Sequence, residues 1–89
     1  MKVNVLSAFS NLIRLQLITC LSRGEKNVTQ LINTCKLSQS AVSQHLEKLR
    51  LSGLVTTRRE GKEIYYKLLY PKASKLSSDL QLLIKEVSK

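Results

Sequence analysis

The chain uses several kinds of residue sparingly, and each scarcity excludes something. One histidine and six carboxylates scattered along 89 residues offer little for acid–base chemistry, and neither a nucleophile elbow nor a phosphate loop is present. An enzyme is therefore not expected. Two cysteines, Cys20 and Cys35, do not make a disulfide framework. They are expected to be small buried hydrophobes, with reactive thiols as the alternative. Phe9 and three tyrosines argue against a platform that stacks single-stranded nucleic acid. No apolar run approaches the roughly 18 residues that span a bilayer. Met1 to Asn11, broken by Asn4, Ser7 and Ser10, lacks the continuous apolar core of a signal peptide. A cytoplasmic protein without membrane contact is the expectation.

Positive charge is abundant. Fifteen Lys and Arg against six acids give a net charge of +9, which implies a polyanionic partner, either nucleic acid or an anionic surface. A hydrophobic content of 43% suits a folded chain. The length suits one small domain over residues 1–89, whose modest core would gain from dimerisation.

Gly24, Gly53, Gly61 and Pro71 punctuate segments of single periodicity. Val3 to Phe9 reads as a short helix. Leu12 to Ser22, capped by Ser10 or Asn11, puts Leu15, Ile18 and Leu21 on a core face and ends at Arg23-Gly24. Asn27 to Cys35 opens with Asn27 and Gln30 in capping-box spacing and buries Val28, Leu31, Ile32 and Cys35. After about three residues Ser38 caps a further helix, the spacing of a helix-turn-helix unit.

That helix, 38–50, has two faces. Val42, Leu46 and Leu49 recur at i, i+4 and i+7. Ser40, Ser43, Gln44 and Glu47 form a stripe of short groups, most of which both donate and accept hydrogen bonds. Beyond Gly53 the period changes. Val55 to Arg59, the turn Glu60-Gly61-Lys62-Glu63 and Ile64 to Leu69 read as a two-stranded hairpin. After Pro71, Lys72 to Ser88 forms a last helix with Leu76, Leu80, Leu83, Ile84 and Val87 on one side, a face wide enough to need a partner. The first and last helices are the candidate dimer interface. The fold class is mainly α with a small β-hairpin: a winged helix-turn-helix of about five helices.

Ser10-Asn11-Leu12-Ile13-Arg14-Leu15, Gly24-Glu25, Val28 to Leu31, the run from Leu37 to Leu46, Gly53-Leu54-Val55 and Arg58 to Lys62 leading into Tyr65-Tyr66 resemble the arsenical-resistance-repressor (ArsR/SmtB) type of bacterial transcriptional regulator. The match extends over most of residues 8–68. The resemblance implies a homodimer that binds an imperfect palindrome in double-stranded DNA, usually as a repressor, and is released by an inducer. The sequence does not name that inducer.

In helix-turn-helix proteins the N-terminal residues of the second helix meet base edges in the major groove. Here these are Gln39, Ser40, Ser43 and Gln44, with Ser38 at the start of the helix. Gln pairs bidentately with adenine, and Ser is less discriminating. Lys36 and Lys48 flank the helix and suit phosphates. His45 lies between the two stripes, and three roles fit it: packing beside the core, a phosphate or base contact, or a metal ligand. Arg58, Arg59 and Lys62 cluster near the hairpin tip. A wing there would reach the backbone or minor groove; the plainer alternative is a charged edge that discourages strand pairing.

One metal site of the family uses cysteines at positions that correspond to Asn27 and Thr29 here. Another uses His and carboxylates on the last helix, which offers Asp79 and Glu86 but no His. Neither site is expected, nor is any cofactor. A related subgroup senses redox or sulfide through a cysteine pair on the second and last helices. The last helix here has no cysteine, and Cys20 stands one residue off the second-helix position, where Thr19 lies. The rival to the regulator is a winged-helix protein-interaction or RNA-binding module, because a fold alone does not decide function.

Overall fold

A computed structural model of the chain describes residues 4–89. The elements run α1 (Val5–Ala8), α2 (Leu12–Leu21), β1 (Lys26–Asn27), α3 (Val28–Cys35), α4 (Gln39–Ser52), β2 (Val55–Glu60), β3 (Glu63–Leu68) and α5 (Lys72–Val87). Met1 to Val3 lie outside the described residues, and with them Val3, the first residue of the first predicted helix. No helix among the described residues is long and apolar enough to cross a membrane.

Local signals account for most boundaries. The Asn4 side chain caps α1 by accepting from the Ser7 amide at 2.8 Å. Asn11 does the same for α2, accepting from Ile13 and Arg14. Asn27 and Gln30 form the full reciprocal capping box of α3. Lys36 then takes the left-handed conformation (φ 55°) that ends α3 and reverses the chain. Gly53 ends α4 at φ 88°, a conformation that a Cβ disfavours. Ser38 departs from expectation. It occupies the N-cap position of α4 with extended backbone, but its side chain makes no capping bond, so the first-turn amides of α4 have no side-chain acceptor.

The expected hairpin is present, with Val55 opposite Leu68 and Glu60 opposite Glu63. It gains a third strand. β1 pairs antiparallel with β3, Lys26 opposite Tyr66 and Asn27 opposite Tyr65, in the order β1-β3-β2. A hairpin alone is marginal in water. This one is tied at its base by the buried Val55 and Leu68 and along one edge by β1.

The core gathers Leu17, Ile18 and Leu21 of α2, Leu31 of α3, Val42, Leu46 and Leu49 of α4, and Leu54, Val55 and Leu68 at the hairpin base. Val42, Leu46 and Leu49 are all 0% exposed. Each buried side chain of this size contributes about 1.5–3 kcal/mol relative to leaving it in water, which fixes the rotation of α4 about its axis. From α5 only Ala73 and Ser77 are buried.

The cysteines are a correction. Cys20 of α2 and Cys35 of α3 are bonded to each other as a disulfide, their Cα atoms 6.5 Å apart, rather than packing as separate small hydrophobes. The packing of α3 against α2 brings the two half-buried residues together at a separation that a disulfide spans. Spacing in the sequence carries no sign of that approach.

Candidate nucleic-acid interface

The rotation of α4 that buries Val42, Leu46 and Leu49 leaves Gln39, Ser40, Ser43, Gln44 and Lys48 exposed, with Ser38 and Lys36 exposed in the turn before it. The apolar and polar stripes read from the sequence are thus separated in space. α3 packs against α4, whose N-terminal end follows the turn between them. Uncapped amides, short amides and hydroxyls, and flanking cations gather at that end, an arrangement that receives anions at the helix start and base edges beyond it.

Farther along the helix the polar stripe changes character. Glu47 accepts from Arg50 Nε at 3.0 Å and Nη2 at 2.6 Å. The hydrogen bond from Arg50 holds the Glu47 carboxyl below its ordinary range, with the charge of Arg50 adding to it. Glu47 is thereby neutralised locally and repels a phosphate less than a free carboxylate would. Burial, reinforced by the negative charge of Glu47, pushes the Tyr66 phenol up.

His45 is half-buried and faces α2. Its Nδ1 lies 2.9 Å from Nη1 of Arg14. Arg14 is 5% exposed and also donates to the carbonyls of Ala8 and Ser7 and to the Ser10 hydroxyl. Burial first, then the charges of Arg14 and Lys48, pull the imidazole below its ordinary value. Arg14 escapes a motif-based reading. The available signal is its position: Arg14, Ile18 and Leu21 fall at i, i+4 and i+7 on the core stripe, where a cation requires acceptors.

The three cations of the wing do not act alike. Arg58 and Arg59 are neighbours on β2, so their side chains leave opposite faces. Arg58 pairs with Glu25 at 2.7 Å and with Glu60 at 2.8 Å, and its guanidinium sits 4.8 Å from the Tyr65 ring centroid. Hydrogen bonds from Arg58 lower the Glu25 carboxyl, and Glu25 in turn raises the Arg58 guanidinium. Arg59 and Lys62 are exposed and carry no ion pair among the described residues. Glu25, 33 residues from its partner, is the second residue that sequence reasoning passed over.

No group of three or more His, Cys, Asp or Glu side chains gathers for a metal among the described residues. Asn27, at one of the family's metal positions, is 8% exposed and occupied as a cap.

Comparison with known proteins agrees with this geometry. The family model described as bacterial regulatory protein, arsR family, matches residues 12–57. The transcriptional activator HlyU of Vibrio cholerae is 46% identical over 66 residues, which are 74% of this chain and 61% of that protein. The nodulation protein NolR of Rhizobium meliloti is 49% identical over 61 residues, 68% of this chain and 50% of that protein. The chain thus spans half to three fifths of the length of these curated relatives. The crystal structure of the transcriptional repressor BigR from Xylella fastidiosa superposes with a TM-score of 0.76 at 38% identity, covering 88% of this chain and 80% of that one. The matched segment takes in the helix-turn-helix and only the first residues of the wing, and the chain belongs to the ArsR family of bacterial regulatory proteins.

Proposed function

We propose that this chain is a dimeric, sequence-specific DNA-binding transcriptional regulator, acting as a repressor on a palindromic operator. The observation that carries this is the division of α4: three core residues fully buried on one side, and Gln39, Ser40, Ser43 and Gln44 exposed on the other. In this reading α4 enters the major groove, Lys36, Ser38 and Lys48 meet phosphates, and the hairpin acts as a wing through Arg59 and Lys62. Arg58, held by Glu25 and Glu60, sets the attitude of the wing and presents the remainder of its charge to the backbone. A second copy, docked through the terminal helices, places two α4 helices about one turn of DNA apart, roughly 34 Å. The relatives named as an activator and a repressor of transcription support the class. Neither metal site of the family takes part, since Asn27 and Thr29 stand in place of thiolates and α5 has no histidine.

The test is selection of bound sequences from a random duplex pool at fixed salt. A two-fold symmetric motif is the expected result. No enrichment, with retention of RNA or of a protein partner instead, overturns the reading.

A further inference from the structure

Arg14 is the one charged side chain in the core among the described residues. No carboxylate matches it. Nε donates to the Ala8 carbonyl at 3.3 Å, and Nη2 donates to the Ser7 carbonyl at 2.8 Å and the Ser10 hydroxyl at 3.2 Å. The remaining amino group, Nη1, points at Nδ1 of His45 from 2.9 Å. A guanidinium has only donors. The ring nitrogen facing it must therefore offer a lone pair, so the imidazole is neutral and carries its proton on Nε2. An imidazolium would set N–H against N–H and one positive charge against another.

The other edge of the ring is free. His45 makes no further hydrogen bond among the described residues, and Gln16 Oε1 is the only buried side-chain polar atom there without a partner. Nε2 of His45 is thus not among the sealed, unpartnered atoms, and the half-buried ring stands one residue beyond the exposed Gln44.

We propose that Arg14 is a positioning residue that fixes His45 as a neutral Nε2–H donor, and that this N–H is given to an acceptor on duplex DNA, either a phosphate oxygen or a purine N7. The inference rests on the reading of α4 as the helix that meets DNA. It assigns different work to neighbours: Lys48 brings charge, whereas His45 brings one directed donor and no charge. Arg14 and Lys48 are the charged groups acting on the ring, and no carboxylate offsets them. α1 contributes only the Ser7 and Ala8 carbonyls to the cluster, and the Ser10 hydroxyl follows it. The helix before α2 and the DNA-facing helix therefore share one guanidinium.

The first measurement needs no DNA. Long-range nitrogen–proton NMR of the free protein should show His45 in the Nε2–H form at pH 7, with a titration midpoint lower than that of an ordinary histidine. In Arg14→Met the ring should return to a tautomer mixture and titrate higher. The second measurement is binding to the selected duplex and to random duplex at fixed salt. His45→Leu should weaken binding about tenfold, the loss of one good hydrogen bond. His45→Gln, whose carbonyl can face Arg14 while its amide faces outward, should recover most of that. Equal loss on both duplexes identifies a phosphate as the acceptor, and loss on the selected duplex alone identifies a base.

An Nδ1–H tautomer or an imidazolium at pH 7 overturns the role of Arg14 even if Arg14→Met does not fold. A folded His45→Leu variant that binds like the parent overturns the donor role. If the chain binds no duplex, the DNA reading fails and the donor role with it, while the tautomer spectrum still decides the part played by Arg14.

Discussion

The Ser77 hydroxyl donates to the Leu15 carbonyl at 2.7 Å, joining α5 to α2 across 62 residues. Ser77 and Ala73 are the buried residues of α5, so its small side chains face α2 and permit close approach. Most of its large apolar ones are exposed: Leu76, Leu82, Leu83, Ile84 and Val87 are each at least 42% exposed, and Leu12 of α2 is 50% exposed, whereas Leu80 is half-buried. An apolar face of this kind marks an interface. Leu83→Glu should therefore convert a dimer into a folded monomer at micromolar concentration, as read by sedimentation, with helical circular dichroism unchanged. A parent protein that sediments as a monomer would sink the terminal-helix dimer.

Gln44 is exposed on α4 and its side chain makes no hydrogen bond among the described residues, so its amide is unoccupied. Gln44→Ala should cost about 1–3 kcal/mol on the selected duplex, the worth of one bidentate base contact, and much less on random duplex. Titrations of both at the same salt make the comparison. Equal losses would move Gln44 from base reading to backbone contact.

Arg58 and Arg59 should separate in a salt series. Arg59 has no carboxylate partner, so Arg59→Ala should weaken selected and random duplexes alike and lower the slope of log affinity against log salt by about 1. Arg58 is already paired with Glu25 and Glu60, and Arg58→Ala should lower that slope less. Glu25→Gln gives the complementary check, since it frees Arg58 and should steepen the slope. Indistinguishable slopes for the two arginine variants would mean that the ion pairs open on DNA.

These contrasts mark what the sequence could show. Helical faces were legible because each is a local period: Val42, Leu46 and Leu49 had to lie on one side, and Asn27 with Gln30 had to cap α3. Residues whose role depends on distant packing were not. β1 has two residues, too short to show a period, and exists because β3 passes beside it. The pairing of Arg58 with Glu25 and the approach of Cys20 to Cys35 follow from how α2, α3 and the sheet stack. Arg14 stood in plain view on the core stripe, but its acceptors come from a preceding turn and from a histidine 31 residues later. Ser38 shows the converse: its type fits a cap, and the backbone there places it at the N-cap without the bond.

The Cys20–Cys35 bond closes a loop of separation 15 between α2 and α3. Closing a loop of that length removes about 3 kcal/mol of denatured-state freedom in the chain-entropy account. Urea unfolding with and without reductant should therefore differ by about that amount in the parent, and Cys35→Ser should show no such difference. Coincident parent curves would mean that the thiols are not bonded in solution.

His45 supplies a pH dependence of known sign. Burial, Arg14 and Lys48 hold its folded value below the ordinary one, which is about 6.5 in an unfolded chain. Between those two values the unfolded state binds a proton that the folded state does not, so stability rises with pH through that window. The contribution is complete above about pH 6.5, is lost as pH falls toward the folded value, and stays constant below it. Glu25 and Glu47 are also lowered, by Arg58 and Arg50, but their losses begin only as pH falls through the ordinary carboxylate range, about 4.3. Denaturant midpoints should therefore decline in the parent as pH falls below about 6.5, stay flat there in His45→Gln, and decline further in both in the carboxylate range. A parent midpoint that rises as pH falls from 6.5 would mean that His45 is charged in the folded state, and the Arg14 contact would be read wrongly.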